Sequence, residues 1–267
     1  MIAARLSILN PLQRRVITDI DFYLVAIPAT ILWGLSKGGF AGLSALSLPI
    51  MALVMSPLRA SSIILPILMV QDVVSVWAFR RTWDRRNLLI LLPGAALGIA
   101  LGYLFAAQVS DAALSLALGA VSVAFAIQRL VLESRPIAPA AARARVVPGL
   151  FWGAVAGFTS MIANAGAPPF QVYIMPQRLP RDIFVGTSVI FFALVNWIKV
   201  PPFIALGLFT RETLLTSAVM TPLAIAATWV GVILVRRVSA ARFYKIVYAL
   251  LVLVGLQLIW NGARHLG

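Results

Sequence analysis

Apolar positions run along this chain in blocks too long, and too evenly apolar around the helical period, for helices that show one face to water. A helix that spans a bilayer needs about 20 apolar residues. Six intervals meet that rule without interruption: 58–79, 88–107, 112–132, 183–204, 213–235 and 243–262. Two longer runs, 22–56 and 147–176, are apolar at both ends and interrupted in the middle by glycine, proline and polar residues. The order is therefore one broken segment and three spans, then the same again. The pattern predicts an all-α membrane protein made of two repeats, each a broken helical hairpin plus three transmembrane helices. It divides the chain into an N-terminal segment (1–21), a first membrane repeat (22–132), a linker (133–146) and a second repeat (147–264).

Composition agrees. Of 267 residues 61% are hydrophobic and 11% charged, against roughly 45–50% apolar residues in a soluble domain. There is no cysteine, and the one histidine, His265, lies at the end of the chain. No thiolate metal site, disulfide framework or resident cofactor is expected. The first 21 residues carry Arg5, Arg14, Arg15, Asp19 and Asp21, with no small-residue cleavage site after a short apolar core, so the first apolar run is expected to stay in the membrane. The net charge of +14 does not point to nucleic acid, because the basic residues cluster in short loops, where they mark the cytoplasmic face and meet anionic lipid.

Those loops also orient the halves. Arg80, Arg81, Arg85 and Arg86 crowd one loop, whereas its counterpart at 205–212 holds only Arg211; the 108–111 turn has no basic residue, whereas its counterpart holds Arg236, Arg237, Arg242 and Lys245. Equivalent loops of opposite bias imply inverted repeats, and inversion requires an odd number of crossings per half. That holds if each broken segment goes in and returns. Arg80, Arg81, Arg85, Arg86, Arg129, Arg135, Arg143, Arg145, Arg178, Arg181, Arg236, Arg237, Arg242 and Lys245 then share the cytoplasmic face, and Arg5, Arg14, Arg15, Arg59, Arg211 and Arg264 the other. Internal similarity points to the same duplication. Trp33-Gly34, Gly38 and Pro49 recur 119 residues later, and Pro93, Gly102 and Val109-Ser110 recur 129 residues later.

The breaks carry the candidate chemistry. Non-helical backbone at membrane depth leaves amides and carbonyls unpaired, and is tolerated only where protein or a water-filled cavity satisfies them. In "SKGGFAG" the glycines Gly38 and Gly39 allow close backbone approach, and Lys37 adds a full positive charge beside a helix N-terminus, a setting that suits an anion. The second break, "FTSMIANAGAPPF", offers Thr159, Ser160 and Asn164 as neutral donors and Ala165-Gly166 as small residues, with Pro168 and Pro169 expected to bend the chain and to gate. Two broken hairpins meeting near the midplane are a common construction of a secondary transporter site. Gln71, Thr187, Asn196 and Lys199 complete the candidate ligand set, and Asp72, the one acid well inside a span, is the candidate for coupling or gating.

At these residues the chain becomes recognisable. "LSKGGFAGLSALSLPIMAL", "QDVVSVWAFRRTWD", "GFTSMIANAGAPPFQVYIMPQRL" and "FVGTSVIFFALVNWIKVPPF" resemble the sulfite exporter TauE/SafE family, over about residues 24–260. The resemblance implies a multi-pass carrier of the bacterial plasma membrane that exports sulfur-containing or related small anions, such as sulfite or sulfoacetate. Where the family often has a histidine before its "AGxPP" element, this chain has Asn164. The implied partners are a small anionic substrate and membrane lipid, with a homodimer left open.

Each candidate also has a plainer reading. Lys37 and Lys199 could snorkel to an interface, Asp72 could pair with either of them, and Gln71, Thr187, Ser188 and Asn196 could be hydrogen-bonding glue between helices. Trp77, Trp83, Trp197 and Trp260 fit an interfacial belt. An intramembrane enzyme needs a nucleophile with a base, or paired carboxylates, and neither is present at membrane depth. A carrier of another small carboxylate remains open. A cation carrier wants several oxygen ligands with carboxylates among them, and one acid against two lysines favours anions.

Overall fold

A computed structural model describes residues 20–37, 44–132, 143–234 and 240–265. Expectations about residues 1–19, Gly38 and Gly39, 133–142, Arg236 and Arg237 lie outside them. Every regular element among the described residues is helical. The first half comprises α1 (Ile20–Lys37), α2 (Ser44–Met51), α3 (Pro57–Phe79), α4 (Arg85–Gln108) and α5 (Asp111–Leu132). The second comprises α6 (Val146–Ala163), α7 (Ala167–Ile174), α8 (Arg181–Ala205), α9 (Arg211–Leu234) and α10 (Ala240–Arg264). Six of these helices are long and apolar enough to cross a membrane, so this is a multi-pass α-helical membrane protein.

The starts of the spans are set by local polar chemistry. Ser56 and Asp84 sit in extended conformation ahead of α3 and α4 and accept hydrogen bonds from the amides of Arg59 (3.4 Å) and Asn87 (2.7 Å). Thr210 and Thr213 cap α9 reciprocally, each hydroxyl accepting the other's amide at 3.2 and 3.0 Å. Each cap gives a partner to an amide that the first turn of a helix leaves free.

Helix pairing crosses the halves. α6 packs along α4, α1 packs along α9, α5 along α10 and α3 along α8. Exchanging the two halves turns the first of these pairs into the second and leaves the last two unchanged. The α4–α6 seam is made of small residues at four-residue spacing: Gly94, Gly98 and Gly102 on one side, Gly149, Gly153 and Gly157 on the other. A side chain at Gly98 would collide with the carbonyl of Ala154, and one at Gly157 with that of Ala95. Lipid tails are as apolar as leucine, so close backbone approach with its dispersion energy, not a hydrophobic driving force, holds such a seam. Outward positions are large and apolar, with Val73, Trp77, Phe151, Trp229 and Leu253 all well over half exposed.

Two loop groups collect at opposite ends of the bundle. At one end the Asp84 amide donates to Thr187 Oγ1 (2.9 Å), Arg86 to the carbonyl of Ala144 (3.1 Å), and Asn87 and Gln177 exchange a reciprocal pair of amide bonds at 3.0 Å. At the other, Arg59 pairs with Glu212 at 2.7 Å, and Leu58, Ala106, Leu114 and Leu208 share an apolar cluster. The first group holds Arg80–Arg86 and Arg145; the second holds Arg59 and Arg211. These are the groups that loop charge separates.

The repeat register differs from the one read off the sequence. α9 begins 126 residues after α4. Trp33 precedes Lys37 by four residues, whereas Trp152 precedes Asn164 by twelve, so they are not equivalent places relative to the bonded pairs Lys37–Asp72 and Asn164–Lys199. Tryptophan and glycine recur too often in apolar helices to fix a register.

Candidate functional site

The two breaks face one cavity of about 170 Å³, lined by Trp33, Ser36, Lys37, Ser44, Leu68, Ser160, Asn164, Ala167, Phe192 and Asn196. They enter it from opposite ends. α6 has 18 residues, about 27 Å at 1.5 Å per residue, so it carries its break past the middle of a roughly 30 Å apolar core. Lys37 Nζ donates to Asp72 Oδ1 (2.7 Å), seven residues before the end of α3, while Asn164 Nδ2 donates to Ser61 Oγ (3.0 Å) near the start of the same helix.

Two hydrogen-bonded groups, brought side by side by α8, hold the five central residues. Asn196 Nδ2 donates to Asp72 Oδ2 (2.6 Å), and Lys199 Nζ donates to Asn164 Oδ1 (2.6 Å) and to the carbonyl of Ser160 (3.5 Å). Asn196 and Lys199 lie three apart on α8 and so share a face, one reaching each break. The pairs Lys37–Asp72 and Asn164–Lys199 each join residues thirty-five apart in sequence. Each joins the end of a broken helix to the span that follows it. In the first half the cation is on the broken helix, and in the second it is on the span.

That exchange leaves the two lysines in different electrostatic settings. The side chain of Lys37 is a quarter exposed and its ammonium is ion-paired. Lys199 is fully buried, and its partners among the described residues are neutral. A buried cation held only by neutral acceptors is expensive, and an anion entering the cavity would relieve that cost. Asp72 is only 3% exposed, and both of its oxygens are already occupied.

The second break is shaped by backbone chemistry. Asn164 adopts left-handed dihedrals (φ 47°, ψ 27°) and its amide bonds the Ser160 carbonyl at 3.1 Å, ending α6. Asparagine is among the few non-glycine residues that take this conformation readily. Pro168 and Pro169 do not make the bend. They occupy the first turn of α7, where an amide hydrogen is dispensable.

The remaining candidates lie elsewhere. Gln71 Nε2 donates to Thr228 Oγ1 (3.1 Å), linking α3 to α9, and Thr187 accepts from Asp84 near the Arg80–Arg86 loop. Ala165, Pro168 and Pro169 line a second cavity of about 260 Å³, with Val121, Phe125 and Trp152. It is larger, but apart from Gln128, Thr159 and an indole its lining is apolar, and it offers an anion little. Sequence reasoning passed over Ser36, Ser44 and Ser61, and used Trp33 only as a repeat marker. Trp33 and Lys37 are i and i+4 on a helix, a spacing that puts both on one face.

Fold and site together define a polytopic helical protein with a small, donor-rich cavity between two broken helices, the architecture of a secondary carrier. Residues 26–258 match the family described as Sulfite exporter TauE/SafE, and the protein belongs to that family of membrane transporters for sulfite and related anions. Comparison with curated proteins and with solved structures gives no significant match.

Proposed function

We propose that the protein exports a small sulfur-containing anion, sulfite or a sulfonate such as sulfoacetate, across the bacterial plasma membrane by alternating access, and that it is a carrier and not an enzyme. The observation that carries this reading is the cavity between the breaks. Its polar lining is three hydroxyls, two amides, an indole and an ammonium, with the buried ammonium of Lys199 hydrogen-bonded to one of those amides. A cavity of 170 Å³ is small beside the roughly 300–1,000 Å³ of a drug-sized site. The cross-paired helices support two inverted halves, with the Arg80–Arg86 end cytoplasmic.

The direct experiment is a panel of sulfite, sulfoacetate, acetate and a cation control. Each is tested for thermal stabilisation of the detergent-solubilised protein, because a ligand that binds only the folded state raises its apparent stability, and then for flux in proteoliposomes. Stabilisation by the cation control alone would overturn the reading.

Within this panel Lys37→Met keeps the stem and removes one charge-assisted contact, worth roughly 1.5–3 kcal/mol. Affinity for the best anion should fall by about one to two powers of ten, and Asn164→Ala, which removes a neutral donor, should cost less. Parent-like affinity in Lys37→Met would place that lysine outside the site.

The inverted arrangement has its own check in this cysteine-free chain. Single cysteines at Thr82 and Ser239 are expected to react with a membrane-impermeant maleimide from the same, cytoplasmic side. Labelling from opposite sides would mean that the halves are not inverted.

A further inference from the structure

Trp33 is 6% exposed, lines the cavity, and its indole Nε1 finds no acceptor among the described residues. A buried N–H without a partner is uncommon and costs the desolvation of the donor. An indole N–H can only donate, so whatever satisfies it brings a lone pair, and a bare metal cation cannot. The residue stands one helical turn before Lys37 on α1, on the same face. The corresponding turn of α6 holds Ser160 four residues before Asn164, and Ser160 lines the same cavity. Each broken helix therefore presents two consecutive turns to the space between the breaks.

We propose that Trp33 is a substrate-binding and specificity-determining residue, whose indole N–H donates to an oxygen of the bound anion beside Lys37. This rests on the reading of the cavity as an anion site and narrows it. The ligand is an oxyanion with at least two oxygens set apart, one for the ammonium of Lys37 or Lys199 and one for the indole. Sulfite, a sulfonate or a carboxylate meets that requirement, and a halide, a single round acceptor, meets it poorly. Trp33, Leu68 and Phe192 supply large apolar surface to the cavity lining, on which the carbon end of an organic sulfonate can rest.

Two variants separate the hydrogen bond from the packing. Trp33→Phe keeps an aromatic ring, and β-(3-benzothienyl)alanine incorporated at position 33 keeps the bicyclic shape while replacing N–H by sulfur. Both should bind sulfite and sulfoacetate about three- to tenfold more weakly than the parent. Chloride binding should change by less than twofold. In the parent, the indole proton resonance that Trp33→Phe removes should move downfield on addition of sulfite. Equal sulfite affinity in parent and benzothienyl variant, or an unmoved resonance at saturation, overturns the role of Trp33 and leaves the site standing. If neither sulfite nor sulfoacetate binds the parent, the anion site and the role of Trp33 fall together.

Discussion

Replacing Lys199 with methionine is expected to lower affinity for the transported anion by about two powers of ten while leaving the fold as stable as the parent, or more so. The side chain is fully buried, and its Nζ is held by Asn164 Oδ1 and the Ser160 carbonyl, with no carboxylate among its hydrogen-bond acceptors. A charge-assisted hydrogen bond contributes roughly 1.5–3 kcal/mol, and the upper end applies to an ammonium buried among neutral acceptors. Lys37, by contrast, already has Asp72 at 2.7 Å, which an incoming anion must share or displace. Replacing a buried ion by an apolar side chain of similar volume is often neutral or stabilising. Binding and stability should therefore separate in this variant. Titration with sulfite, followed by thermal melts without ligand, measures both. A Lys199→Met protein that melts well below the parent yet binds anions unchanged would make the lysine a structural residue.

The second large effect is on assembly. Gly98→Val should destabilise the protein by roughly 2–3 kcal/mol, lowering its melting temperature by about 5–10 °C, or should prevent its recovery from the membrane. The new Cβ would meet the carbonyl of Ala154, and backbone cannot turn aside as a side chain can. α4 and α6 would have to part along the whole seam. Gly207→Ala is the contrasting case: nothing lies within 4 Å of a Cβ there, and only the positive φ of 66° opposes the change. That substitution should cost about 1 kcal/mol. Equal melting temperatures for the two variants would show that the seam is loose enough to absorb a side chain.

The six clean spans were legible to within about three residues at each end, because uninterrupted apolarity over the thickness of a bilayer has few other physical explanations. α3 was expected at 58–79 and is found at Pro57–Phe79; α8 was expected at 183–204 and is found at Arg181–Ala205. The breaks were legible because small, polar and helix-breaking residues interrupt runs longer than one span, although α8 carries Asn196, Lys199 and Pro201-Pro202 without a break. The register between the halves was less so. It was sought in tryptophan and glycine matches, whereas the spacing shared by Lys37–Asp72 and Asn164–Lys199 joins residues of different type, and no search for identical letters finds it.

Sequence by itself determined that this is a polytopic helical membrane protein with two broken segments, which loops share a charge sign, and which polar residues lie at membrane depth, because each follows from transferring side chains and backbone between water and hydrocarbon, a local cost. Only the tertiary structure decided which polar residue meets which. It paired Lys37 with Asp72, left Lys199 among neutral acceptors, turned Gln71 to Thr228 and set Trp33 against the cavity with its N–H unmatched. Those outcomes depend on how α1, α3, α6 and α8 are rotated about their own axes. Rotation is set by which small residues let two backbones approach, a property of helix pairs that no single stretch of chain contains.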